Sequence, residues 1–134
     1  MDIEQVRAYC LSFPHATENV QWGNDLVFKI AGKMFNVTVL EGASKYCLSF
    51  KCMEEKFAEL IEQDGIDPAP YSARYHWVAL ESFDVLSEKE LKALLRNSHD
   101  LVFEKLPKKL KTELNEKKGT SRKASRKRRQ ARNT

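Results

Sequence analysis

With 134 residues, 42% of them hydrophobic, the chain is long enough for one ordinary core and too short for two independent ones. No stretch approaches the roughly 20 apolar residues of a membrane helix, and Met1-Asp2-Ile3-Glu4 lacks the basic-then-apolar order of a signal peptide, so a cytoplasmic, non-membrane protein is expected. The net charge of +4 conceals an asymmetry between the body of the chain and its C-terminus.

Ile3, Val6, Cys10 and Phe13 recur at helical spacing, with Asp2 placed to cap the start and Pro14 to end it, which predicts a first helix over about residues 3 to 13. After a loop around Trp22-Gly23, the runs 26–30 and 34–40 read as strands joined by Ala31-Gly32-Lys33, a tight hairpin signal. A turn over residues 41–44 leads into a third strand over 45–51, completing a three-stranded meander. Strict alternation would place Phe35, Val37 and Val39 on one face with Tyr46, Leu48 and Phe50, and Asn36 and Thr38 on the other, giving one apolar and one largely polar face. Met53, Phe57, Leu60 and Ile61 define a second helix ended by Gly65, and residues 77–81 a later strand. Ser87 with Glu90 forms a capping box, and Leu86 with Leu91 falls at the staple positions of a third helix whose stripe is Leu91, Leu94, Leu95, Leu101 and Val102. Pro107 interrupts it, and Leu106, Leu110 and Leu114 continue an amphipathic pattern.

The chemistry-bearing residues are sparse. His15, His76 and His99 are scattered, with no metal-ligand spacing, and read as partly exposed rings; no metal or cofactor is expected. Cys10, Cys47 and Cys52 form no CxxC pair and lie in apolar patterns, so they are expected to be buried, reduced and structural. No phosphate-binding glycine loop and no nucleophile elbow occur, and no catalytic residues are assigned. The segment 68–77 concentrates Tyr71, Arg74, Tyr75, His76 and Trp77 between prolines and a strand. Such a cluster either builds a stacking or anion-binding surface or plugs the edge of the core. With Trp22 and Lys51 from the polar sheet face, Tyr71, Arg74 and Trp77 form a candidate pocket for a small anionic or aromatic ligand.

Residues 117–134 hold nine of the 23 basic residues and no acid, which leaves 14 bases against 19 acids, a charge of −5, in residues 1–116. A like-charged segment without large apolar residues cannot offset its ordering entropy, so 117–134 is expected to be a disordered basic tail on a 1–116 domain. Such a tail is either a nucleic-acid-seeking arm or a solubilising extension.

Trp22-Gly23, the hairpin Phe28-Lys-Ile-Ala-Gly-Lys-Met-Phe35, Lys51, Pro68-Ala-Pro-Tyr71, His76-Trp77-Val78 and Leu101-Val-Phe-Glu-Lys-Leu-Pro-Lys-Lys109, in this order, resemble the MmcQ/YjbR family of small bacterial proteins over about residues 1 to 112. The resemblance implies an α+β, two-layer fold of the CyaY (frataxin) type, an antiparallel sheet with helices packed on one face. It also implies DNA binding through a double wing of hairpins, here the turn flanked by Lys29 and Lys33 and the turn Glu41 to Lys45. The leading expectation is thus a monomeric, non-enzymatic DNA- or RNA-binding protein. Lys29, Lys33, Lys45, Lys108 and Lys109 of the domain would position the duplex, and Arg122, Lys123, Arg126, Lys127, Arg128, Arg129 and Arg132 would supply most of the affinity. The alternative is a small-ligand or protein-interaction domain using the Trp22–Lys51–Trp77 face.

Overall fold

A computed structural model describes residues 1–40, 44–70 and 72–123, with 117–123 described by backbone only. Two compact units are distinguished, Met1–Glu104 and Lys105–Thr134.

The first unit is α+β, as the sequence predicts. Helix α1 (Ile3–Leu11) precedes strands β1 (Ala16–Gln21), β2 (Asp25–Ile30), β3 (Lys33–Val39) and β4 (Leu48–Lys51), each antiparallel to the last. Helix α2 (Glu54–Leu60) carries the chain to the far edge, β5 (Ile66–Pro68), and a single 3-10 turn (Ala73–Tyr75) brings it back as β6 (Trp77–Leu80) between β4 and β5. The sheet order is β1-β2-β3-β4-β6-β5, antiparallel throughout. Helix α3 (Glu88–Glu104) packs on β2, β3 and β4, α1 on β1 and α3, and α2 on β5 and β6.

The helix ends follow from their capping chemistry. Asp2 Oδ1 accepts from Gln5 N at 2.8 Å while Gln5 Oε1 accepts from Asp2 N at 3.0 Å, closing the start of α1 reciprocally. Ser87 Oγ accepts from Glu90 N at 3.1 Å, and Leu86 and Leu91 are both buried at the staple positions of α3. Val6 and Cys10 of α1 and Leu91, Leu94, Leu95 and Val102 of α3 bury their stripes against Phe28, Phe35, Leu48 and Phe50, while Leu101 is only half-buried. The β2–β3 hairpin turns on Ala31 (φ 50°) and Gly32 (φ 82°), the two positive angles of a type I′ turn. Gly65 (φ 88°) ends the α2 region against Val85, whose Cγ2 would lie 2.9 Å from any Cβ placed there.

Two strands escape the sequence pattern. β1 is a polar edge strand that reads as loop, and β5 is a three-residue edge strand ending in Pro68, tolerated where no ladder partner needs its missing N–H.

The register of β3 also differs from strict alternation. Phe28 pairs with Asn36 but Lys29 pairs with Met34, so a β-bulge leaves Phe35 with no cross-strand partner. Phe35 and Asn36 then both face the helices. Beyond the bulge Thr38 joins them, sharing the core face with Leu48 and Phe50, while Val37 and Val39 turn to the opposite side. The assignment of Val37 and Val39 to the core face, and of Asn36 and Thr38 to the open one, is corrected accordingly. Tyr46 is corrected with them, because it packs on the open face beside Val37.

The second unit contains α4 (Lys108–Lys123). Its last seven residues belong to the basic segment expected to lack structure when free; lysine and arginine are good helix formers, and propagating a helix adds a bond for each residue fixed. Residues 124–134 lie outside the described ones. No described helix is long and apolar enough to cross a membrane.

Candidate functional site

The face of the sheet turned away from the helices carries a cleft of about 610 Å³. Its floor follows from the bulge. Val37 pairs with Ser49 and Ser49 with Ala79, so one cross-strand row runs over β3, β4 and β6 on this face. Trp77, Ala79 and Ala69 form a buried cluster against which Met34, Val37 and Tyr46 pack. Trp22 closes one side and stands 67% exposed, whereas Trp77 is 8% exposed. Backbone strain accompanies both tryptophans: Trp22 has φ 52°, and His76, which aims Trp77 into its strand, has φ 65°. A left-handed conformation in bulky residues persists only where the surroundings impose it.

The polar groups of the cleft are few. Ser44, Ser49, Ser72 and the carboxylate of Asp25 line it. At its edge the Tyr46 hydroxyl donates to Asp67 Oδ2 at 2.7 Å, and this bond holds the phenol above its ordinary pKa. Lys45 Nζ lies 3.6 Å from Asp67 and 3.7 Å from Glu81, and its pKa is raised by Tyr46, Asp67 and Glu81 in that order.

Of the five pocket residues expected from the sequence, the structure brings Trp22 and Trp77 to one cleft. Lys51 does not line it; its ammonium donates to the Tyr75 carbonyl at 2.7 Å. Arg74 stacks its guanidinium 4.8 Å from the Tyr75 ring centroid and also lies outside the lining. Tyr71 lies outside the described residues. Sequence reasoning missed Asp25, Met34, Val37 and Tyr46, all placed by register rather than by a local motif.

The basic residues expected to touch nucleic acid are dispersed. Lys29 and Lys33 flank the β2–β3 turn, and Lys45 is shared between two carboxylates. Lys108 and Lys109 are exposed in the first turn of α4. Arg122 and Lys123 belong to the last turn of α4, described by backbone only, and Arg126, Lys127, Arg128, Arg129 and Arg132 lie outside the described residues.

Other titratable groups serve the core. His99 is buried rather than partly exposed: its ring packs edge-on against Phe13 and Phe35, Nε2 meets the Pro14 carbonyl at 2.9 Å and Nδ1 meets Asp100 Oδ1 at 3.0 Å. The stripe of α3 turns inward at that position, and whichever ring nitrogen carries the proton has an acceptor within hydrogen-bond distance. Cys10 and Cys52 are buried and Cys47 half-buried, all as free thiols. Burial pushes Cys10 up to about 12 and Cys47 and Cys52 to about 11, far from thiolate reactivity near neutral pH. No cluster of three metal-ligating side chains occurs among the described residues.

The YjbR family model matches residues 11–101, which span β1 to β6 and most of α3, including the whole sheet that carries the cleft. The chain belongs to the YjbR family. Among solved structures, this YjbR domain is similar to the Deinococcus radiodurans protein DR2400, which carries a DUF419 domain, at 27% identity and a TM-score of 0.75 over 84% of this chain and 87% of that one. A Pseudomonas syringae protein shares the fold at 20% identity, with a TM-score of 0.62 over 75% of this chain and 98% of its own. No curated protein matches the sequence.

Proposed function

We propose that this YjbR domain is a binding module whose open sheet face takes up a small, mainly apolar molecule. The observation that carries the reading is the cleft of about 610 Å³, within the size range of ligand pockets and walled by aromatic and aliphatic side chains with a few polar groups. The strained backbone at Trp22 and before Trp77 supports it, since folds retain such conformations where function uses them. The alternating residues of the same strands already fill the helical side, so the apolar side chains of the cleft are not needed to complete that core.

The test uses the chain's only two tryptophans, Trp22 and Trp77, both of which line the cleft. A ligand seated there desolvates Trp22, so titration with neutral aromatic fragments such as 2-phenylethanol is expected to shift emission to shorter wavelength and raise the melting temperature together. A fragment panel that changes neither at millimolar concentration rules out the reading.

A second reading rests on the nine cations of residues 117–134. A segment of that charge follows a phosphate backbone without a preformed groove, and if about five to seven cations engage, log K falls against log salt with a slope of roughly −5 to −6. Duplex DNA and RNA would compete about equally, because no base edges are read. A chain ending at Glu116 is expected to lose most of this affinity. Retention of tight, sequence-selective binding by the shortened chain would instead place the interface on the lysines of the β2–β3 hairpin.

A further inference from the structure

Resting on the ligand-binding reading of the cleft, we infer that its ligand is an organic cation, an aromatic or aliphatic amine, seated with its ammonium toward Asp25 and its apolar body among Trp22, Tyr46 and Trp77. Among the described residues lining the cleft, Asp25 is the one formal charge, and no ion pair within the described residues neutralises it. It opens β2, opposite Gln21 across one ladder and Val39 across the other, three residues after Trp22. A carboxylate and aromatic rings lining one cleft can both attract a cation, the carboxylate through its charge and the rings through their quadrupole.

The side chains that would favour an anion are engaged or set apart. The Lys51 ammonium is bonded to the Tyr75 carbonyl, and Arg74 lies over Tyr75. Lys45, at the edge beside Tyr46, has two carboxylates for its single charge. Lys29 shares the open face, opposite Met34, but stands at the β2–β3 turn end, whereas Asp25 stands at the opposite end of β2. An anionic ligand in the cleft would therefore meet Asp25 with no lining cation among the described residues to offset it, while an ammonium gains a partner.

The experiment compares three ligands of one shape, phenethylammonium, 2-phenylethanol and 3-phenylpropanoate, titrated into the full chain at neutral pH with tryptophan emission as the readout. The ammonium is expected to bind about tenfold more tightly than the alcohol and the carboxylate most weakly, a preference of the size a partly desolvated cation–π and charge pair supplies. Asp25→Asn is expected to remove most of that advantage, leaving the ammonium only the part that its contact with the rings supplies. Raising the salt concentration should narrow the same gap in the unaltered chain, which provides the test without any substitution. Equal affinities for all three, with the emission shift intact, would overturn the cation assignment and leave the binding cleft standing. Tighter binding of the carboxylate would overturn it in favour of Lys29 as the partner. Failure of all three to bind would remove the cation assignment and the binding reading together.

Discussion

The two faces of the sheet are built from alternate residues of the same strands, yet one is a dry core and the other an open cleft. On the helical side Phe28, Phe35, Leu48 and Phe50 meet Leu91 and Leu95 at 0 to 1% exposure, and even its polar members, Asn36, Thr38 and Ser98, are fully buried. On the open side Met34, Val37 and Tyr46 are only half-buried, and among the described residues lining the cleft none belongs to α1, α2 or α3. The bulge at Phe35 decides which residue goes where. Without it Val37 and Val39 would point at the helices and the open face would present Asn36 and Thr38 to solvent; with it the polar pair enters the core and the valines make the cleft floor apolar. A single extra residue in one strand thus exchanges polarity between faces, at the expense of burying an amide whose Nδ2 has no partner among the described residues.

The sharpest way to break the contrast is to cut one aliphatic side chain back to alanine on each face. Leu95→Ala empties a fully buried site on α3 and is expected to lower stability by about 2 to 5 kcal/mol, whereas Val37→Ala on the half-buried cleft floor should lower it by roughly 1 kcal/mol. Denaturant melts of both variants measure this, and comparable losses would mean that the open face is as much a core as the helical one. Next in size is Ser98→Ala. Ser98 Oγ donates to the Phe35 carbonyl at 2.6 Å and accepts from Lys51 N at 3.0 Å, so one buried hydroxyl ties α3 to the bulge and to β4. Its loss leaves two backbone groups short of partners and should cost about 1 to 3 kcal/mol, with hydrogen exchange accelerating at Lys51.

The buried polar pair gives a finer test. Thr38 Oγ1 donates to Asn36 Oδ1 at 2.7 Å inside the helical face. Thr38→Val alone strands the amide and is expected to destabilise by about 1 to 2 kcal/mol, whereas Asn36→Leu combined with Thr38→Val, which removes both partners at similar shape, should come out near neutral or stabilising. A double variant as unstable as the single one would mean that the pair holds the bulge in register rather than merely occupying it.

These contrasts also separate what the sequence could tell from what it could not. The α+β class, the capped start of α3 at Ser87, the Ala31-Gly32 turn and the core positions Phe35, Leu48, Phe50 and Leu95 were legible because each is signalled by neighbours within one turn or one strand. Trp22 and Trp77 stood out by type, and the structure places both on the cleft. Val37, Tyr46 and Asp25 were not legible as cleft residues, since their side depends on a bulge and a register that local alternation does not encode. His99 was misread for a related reason: the ring looks polar in isolation, but its two acceptors come from Pro14, on a distant segment, and from Asp100. Lys51 and Arg74 were legible as cations but not as cations already occupied by the Tyr75 carbonyl and ring.

The smallest expected effect lies at the margin of the covered face, where α1 is tied to the edge strand β1. Arg7 Nε and Nη2 donate to the two oxygens of Glu18 at 2.8 and 2.7 Å, a side-on pair in which the hydrogen bond from Arg7 holds the carboxyl below the ordinary glutamate value of 4.5. A depressed folded-state value means that the contribution is present at pH above the unfolded value and is lost as pH falls through the folded one. The difference in melting temperature between the native chain and Glu18→Gln should therefore be largest near neutrality, begin to shrink as pH falls below 4.5, and close in more acid solution; added salt at neutral pH should narrow it as well, since the guanidinium is exposed. The pair is solvent-accessible, so the whole difference should be small beside that of Leu95→Ala. A gap that persists unchanged through the acid range would show that ionisation of Glu18 contributes nothing to it, since glutamine keeps the same two methylenes and differs only in its head group.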